Sequence, residues 1–164
     1  MGVEEYLRTG FEDADREFVD GEIVERNVGE LPHAVVQRRL IVALDALASR
    51  FGIQVVPEIR VQTRATRFRV ADIAVWRPGH IGTRIPTVPP FLVVEILSPE
   101  DRMVRMQEKV REYLAIGTEY VWLIDPEERK AIVYSQQAPA GRLEQVLRTQ
   151  DPDIEIPLSS VLPS

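Results

Sequence analysis

Two carboxylates and one lysine stand where charge is costly. Glu95 interrupts the apolar run Phe91-Leu92-Val93-Val94-Glu95-Ile96-Leu97, which is bounded by Pro90 and by Ser98-Pro99 and reads as a buried strand. An ionised carboxylate in such a run costs on the order of several kcal/mol unless a cation or hydrogen-bond donors compensate it. Asp72 is the second anomaly, because alternation from Phe68 to Trp76 puts it on one face with Phe68, Val70, Ala74 and Trp76. Arg69, Ala71, Ile73 and Val75 then form the other face. Lys109 lies on the helix after Glu95, between Met106 and Tyr113, so its stem can pack while its ammonium reaches sideways. If the strands of Asp72 and Glu95 pair antiparallel, both carboxylates enter one notch and repel unless a divalent cation joins them. Two carboxylates, a main-chain oxygen and waters are the ligands magnesium prefers. A lysine beside them would orient a water or stabilise charge on a transferring phosphate.

The elements that must position these groups can be read in order. Residues 1–15 predict a short helix or an ordered lead-in, and Glu17 to Val24 two short strands around Asp20-Gly21, a tight-turn dipeptide. Glu22, just past the turn, is expected to be solvated. Pro32 to Phe51 has helical spacing, with Val36, Leu40, Ala43, Leu44 and Leu47 on the buried face and Gly52 as the stop. His33 opens this helix as an N-terminal hydrogen-bonding residue rather than a ligand, and Gln37, one turn in, could flank a site. Ile53 to Thr63 and Phe68 to Trp76 are strands, followed by a Gly- and Pro-rich loop from Arg77 to Pro90. Ser98 as N-cap, Pro99 at the first helical position and Asp101 as capping-box acid predict a helix from about Pro99. Val104, Val110, Tyr113 and Leu114 form its apolar stripe and Gly117 its stop. A strand from Glu119 to Asp125, a hairpin to Tyr134, a short last strand from Leu143 to Leu147 and a loosely packed tail from Pro152 complete the chain.

At 164 residues with 45% hydrophobic content, the chain predicts one domain, 1–164, around one core. The absence of cysteine excludes disulfides and thiolate zinc sites. No apolar run approaches the roughly 20 residues of a membrane span and the N-terminus has no secretory pattern, so a cytoplasmic protein with no membrane partner is expected. The net charge of -6 argues against a general nucleic-acid coat protein, yet charge is uneven: residues 1–32 carry 3 basic and 10 acidic side chains, residues 33–84 carry 9 and 3. Arg60, Arg64, Arg67, Arg69, Arg77 and Arg84 dominate that basic island, which fits either phosphate contacts or a charged sheet edge.

The order of elements with Asp72, Glu95 and a lysine resembles the PD-(D/E)XK nuclease superfamily. Val94-Glu95-Ile96-Leu97-Ser98-Pro99, Lys109, Tyr113, Gly117 and Tyr120-Val121-Trp122-Leu123-Ile124-Asp125-Pro126 resemble its branch called putative restriction endonucleases, the Uma type. The likeness extends to Glu17-Phe18-Val19-Asp20-Gly21-Glu22 and His33. It implies an α/β, restriction-endonuclease-like fold, a mixed central sheet flanked by helices with extra β-hairpins. It implies a magnesium-dependent (or manganese-dependent) DNA endonuclease in which Asp72, Glu95 and the main-chain oxygen of Ile96 hold the metal and Lys109 assists attack of water. A homodimer would suit double-strand cleavage. Ala71 replaces the proline expected before the aspartate, Leu97 the lysine expected two residues after the glutamate, and Arg105 the acid expected four residues before Lys109. Arg105 leaves two readings: a substrate-phosphate contact, or a catalytically weak nuclease-fold module for nucleic-acid or protein binding. Lys109 and Lys130 are the only lysines among 20 basic residues. Keeping one at position 109 fits a compact, deprotonatable cation, whereas without the family pattern an exposed ion pair with Glu108 or Glu112 would explain it.

Overall fold

A computed structural model describes residues 1–11, 16–26, 29–79 and 84–164. Helix α1 (Val3–Arg8) leads into the hairpin β1 (Glu17–Val19) and β2 (Glu22–Val24), whose turn is made by Asp20 and Gly21, both at positive φ. Helices α2 (Leu31–Asp45) and α3 (Ala48–Phe51) follow. The single helix expected over Pro32–Phe51 is thus broken at Ala46-Leu47, and Gly52 ends α3 in the left-handed conformation, φ 67. Strands β3 (Gln54–Arg64), β4 (Arg67–Trp76) and β5 (Leu92–Ile96) precede helix α4 (Met103–Ala115), then β6 (Tyr120–Asp125) and β7 (Lys130–Ser135). Among the described residues no helix is long and apolar enough to cross a membrane.

The fold is mixed α/β. Its eight-stranded sheet runs β2-β1-β4-β5-β6-β7-β8, where β8 is Arg142–Leu143 and β3 lies beside β4 off that path. Among the described residues only β5 and β6 pair in parallel, because α4 carries the chain back between them. One core lies on the α2 side, with Val36, Leu40, Leu44, Ile73, Val75, Leu92, Val94 and Trp122. A second lies under α4, with Val61, Ala71, Ala74, Trp76, Val93, Val110 and Tyr113, and a small third one joins Tyr6, Phe18 and Phe68.

Strand β4 has three neighbours, and that is what opens the sheet. Strand β3 pairs along its length from Arg67 to Trp76. The opposite edge is shared: β1 reaches only Arg67 and Phe68, and β5 only Ile73 to Val75. Between them is a fork in which the β4 edge has no strand partner. The expected face alternation also breaks there. Ala71 and Ala74, three residues apart, both pack under α4, while Ile73 and Val75 face α2. Opposite Asp72, Glu58 of β3 adopts φ 49, a left-handed conformation that a non-glycine residue takes at a cost. Val56 and Ile59, on either side of it, both pack under α4. Asp72 thus sits at a kink common to two strands rather than on a continuous face with Ala74 and Trp76.

Three further expectations are corrected. Helix α4 starts at Met103, not Pro99, because Asp101 Oδ2 accepts the Ser98 N–H at 2.7 Å and closes a separate turn ahead of the helix. With that start Val104 is 76% exposed, and the buried face is Met106, Lys109, Val110, Glu112 and Tyr113. The strand expected over Leu143–Leu147 is divided between β8, at the edge of the large sheet, and β9 (Val146–Arg148), which pairs with β10 (Glu155–Pro157) as a separate ribbon. The tail after Pro152 is not loose: Ile154, Ile156, Leu158, Val161 and Leu162 are buried in the α2-side core. Removing that much apolar surface from water outweighs the proline punctuation.

Candidate active site

Side chains fill the fork where a strand is missing. The Val70 N–H donates to Glu17 Oε1 at 3.1 Å and the Val70 carbonyl accepts from Lys109 Nζ at 3.3 Å. The Asp72 carbonyl accepts from Gln37 Nε2 at 3.0 Å, and Asp72 Oδ2 takes the Ile96 N–H at 2.7 Å. Buried main-chain groups need partners, and here three of the four partners, Glu17, Lys109 and Asp72, are ionisable groups of the site. Sequence and backbone therefore dictate each other locally: the strands diverge, and charged side chains satisfy what divergence exposes.

Asp72, Glu95, Ile96 and Lys109 all line one small cavity of about 60 Å³, together with Glu17, Arg26, His33, Arg69 and Arg105. Strands β4 and β5 pair antiparallel with Ile73 opposite Val94, so the next step brings Asp72 and Glu95 across from each other, as the notch required. Asp72 is held by Arg26 Nη2 on Oδ1 at 2.6 Å and by His33 Nε2, 3.3 Å from Oδ2. Burial works to raise its pKa, but the His33 hydrogen bond, the Arg26 charge and the Ile96 N–H hold it below the usual aspartate value. Glu95 Oε1 accepts from Tyr113 Oη at 2.9 Å and pairs with Lys109 Nζ at 3.1 Å. Burial pushes Glu95 up to about 7, with Lys109 opposing and Asp72 adding to the rise.

Lys109 is the hub. Its ammonium has three donors and three acceptors around it: Glu17 Oε1 at 2.7 Å, Glu95 Oε1 at 3.1 Å and the Val70 carbonyl at 3.3 Å. Burial disfavours its charge, yet Glu17 and Glu95 together raise its pKa above the ordinary lysine value. The surroundings of Lys109 thus favour its charged form, against the expectation of a deprotonatable lysine. It also pairs with neither Glu108 nor Glu112. Glu112 instead chelates Arg69 through two 2.8 Å hydrogen bonds and accepts from Arg67 at 2.7 Å and from Thr63 at 2.8 Å.

His33 and Gln37 occupy the positions expected of them, and Glu22 is exposed. Sequence reasoning assigned no role to Glu17, Arg26 or Glu58. Glu17 lay within the family-like stretch and carried a signal, a charge beside buried Phe18; Arg26 carried none, since its partners are 32 and 46 residues away. The basic island is largely spent inside the molecule. Arg60 donates to the Thr9 carbonyl, Arg67 to Asp20 and Glu112, Arg69 to Glu112 and Glu17, and Arg77 to Glu119. Arg105, by contrast, is exposed at the cavity wall and makes no ion pair among the described residues.

Among the described residues no group of three or more acidic or histidine side chains gathers as a metal cage. Magnesium seldom needs one, because one or two carboxylates with waters completing the shell suffice. Asp72 and Glu95 offer that donor set, and the cavity has room for water-sized ligands. The residues fit a hard divalent cation provided that Arg26 leaves Asp72.

Comparison with known proteins bears on the family and the fold. The sequence model of the Uma2 family, described as "Putative restriction endonuclease", matches residues 3–163. A solved structure described as a putative nuclease belonging to DUF820, from Anabaena variabilis ATCC 29413, superposes with a TM-score of 0.84 at 19% identity, covering 98% of this chain and 97% of that one. None of the curated proteins matches the chain.

Proposed function

We propose that this chain, which belongs to the Uma2 family of putative restriction endonucleases, is a magnesium-dependent endonuclease that hydrolyses phosphodiester bonds of DNA. Asp72, Glu95 and the main-chain oxygen of Ile96 would hold the ion, with manganese as a workable substitute. Bound there, the ion would supply Lewis-acid polarisation of the phosphate and a more acidic water. The chain's own contribution is placement. The observation that carries the reading is the convergence of Lys109 Nζ on Glu95 at 3.1 Å, on the wall of the cavity that Asp72 also lines.

Lys109 keeps its proton, because its three acceptors bind the charged form best. Its part is then to stabilise, through its charge, the negative charge that grows on the phosphate, not to accept the attacking water's proton. Tyr113, whose hydroxyl donates to Glu95, fixes the carboxylate's orientation. Arg105 reaches substrate from the rim as a phosphate contact. Two copies about a two-fold axis would cut both strands of a duplex.

A second reading, a nuclease-fold binding module, draws on the lack, among the described residues, of three acidic or histidine side chains gathered to hold a metal and on Arg105 in place of an acid. Supercoiled-plasmid nicking in magnesium, with and without chelator, separates the two. The endonuclease reading predicts nicking that chelator stops and that Asp72→Ala/Glu95→Ala lacks. Salt-dependent DNA retention with no nicking at any metal concentration would favour the module.

A further inference from the structure

Resting on that reading of the site, we infer that Arg26 occupies the cation position of Asp72 and must withdraw from it before a divalent ion binds, so that Arg26 sets the site's metal affinity. The two oxygens of Asp72 are not equivalent. Oδ2 is pinned by the Ile96 N–H at 2.7 Å and faces His33 Nε2 at 3.3 Å. Oδ1 carries Arg26 Nη2 at 2.6 Å. An ion entering this cavity must take Oδ1, and a guanidinium at hydrogen-bond distance from that oxygen would repel it at close range in a buried place.

Arg26 also has somewhere to go. Its other terminal nitrogen, Nη1, pairs with Glu58. The Glu58 side chain is 39% exposed, against 2% for Asp72, and Gln37 Nε2 steadies it at 2.8 Å. The guanidinium therefore bridges a buried carboxylate and a rim carboxylate. It can let go of the first and keep the second, so its withdrawal does not strand a buried charge. The left-handed backbone of Glu58, φ 49, aims that carboxylate at this spot, although its own strand pairs on the far edge of β4. Arg69 shows the opposite design: two buried carboxylates hold it, Glu112 with two hydrogen bonds and Glu17 with a third, and the half-buried Glu108 stands off at 3.8 Å.

Manganese titration by calorimetry on the wild type and on Arg26→Gln tests this, with Asp72→Asn as the site control. The inference predicts that Arg26→Gln binds manganese about tenfold more tightly, the scale of one charge-assisted hydrogen bond, and that Asp72→Asn loses binding. Equal or weaker binding by a folded Arg26→Gln protein, with wild-type binding intact, would overturn the inference and leave the nuclease reading standing. Binding by neither protein would overturn both. Should Arg26→Gln fail to fold, arginine side-chain NMR on the wild type decides. Saturating magnesium should speed exchange of the Arg26 guanidinium protons while those of Arg69 stay unchanged. An Arg26 signal unmoved at saturation would overturn the inference.

Discussion

Helix α4 carries two charged residues three positions apart that meet opposite fates. Lys109 and Glu112 are both buried, and both bind groups on β4. Glu112 belongs to a closed cluster: Arg67, Arg69 and Thr63 make five hydrogen bonds, four to Glu112 and one to its neighbour Glu108, and Glu112, unlike Arg69, does not line the site cavity. Lys109 belongs to an open one, whose carboxylates line a cavity and are shared with Arg26, His33 and Tyr113. Residue type does not separate a structural ion pair from a candidate site here. What separates them is whether the charges are satisfied without leaving room for anything else.

The comparison breaks most severely at Glu95. Glu95→Ala should lower cleavage by on the order of a thousandfold or more, since it removes a ligand and one partner of the fixed cation, and a single-turnover assay would read it. Glu112→Ala should act on the other quantity. It strands Arg69 and Arg67 and should cost about 3–5 kcal/mol in urea denaturation, while cleavage per folded molecule stays within a few-fold of wild type. A loss of cleavage in the folded Glu112 variant would erase the distinction.

Acid sharpens it. Burial works to raise the Glu112 pKa, but Arg69 and Arg67 more than offset this and bring it down to about 2 from an ordinary 4.5. A depressed carboxylate stabilises the fold fully above its unfolded value and loses that contribution as pH falls through its folded value. Wild-type stability should therefore decline between pH 4.5 and about 2, and Glu112→Gln should lack that part of the decline when melting is followed against pH. The smallest effect is expected at Arg105. Arg105→Ala should weaken DNA binding by a few-fold, with less salt dependence, and leave melting unchanged.

Much of the site was legible because burial makes charge conspicuous in a sequence. Glu95 in an apolar run and Asp72 in an alternating strand announce themselves, and the antiparallel pairing of their strands follows from a hairpin-like order. Their partners were harder to see. Glu17 reaches Lys109, and Arg26 reaches Asp72, only because β1 and β5 diverge along β4, and divergence of strands has no local signature. The kink at Asp72 depends on the φ of Glu58 in another strand, so alternation, which reads one strand at a time, put Ala71 on the face of Ile73 and Val75 rather than with Ala74. The tail misled for a related reason: Leu158 and Val161 were read against their prolines, whereas their burial is decided by α2, more than a hundred residues earlier.

The central claim is that Lys109 serves chemistry as a fixed cation rather than bracing the fold. Lys109→Met, with manganese affinity and single-turnover cleavage measured on the same sample, tests it most directly. The account predicts metal affinity retained or strengthened, since a positive charge beside Glu95 is gone, and cleavage lower by on the order of a thousandfold. Cleavage within a few-fold of wild type in that metal-bound variant would contradict it and make Lys109 a second Glu112, a buried charge that holds the sheet together.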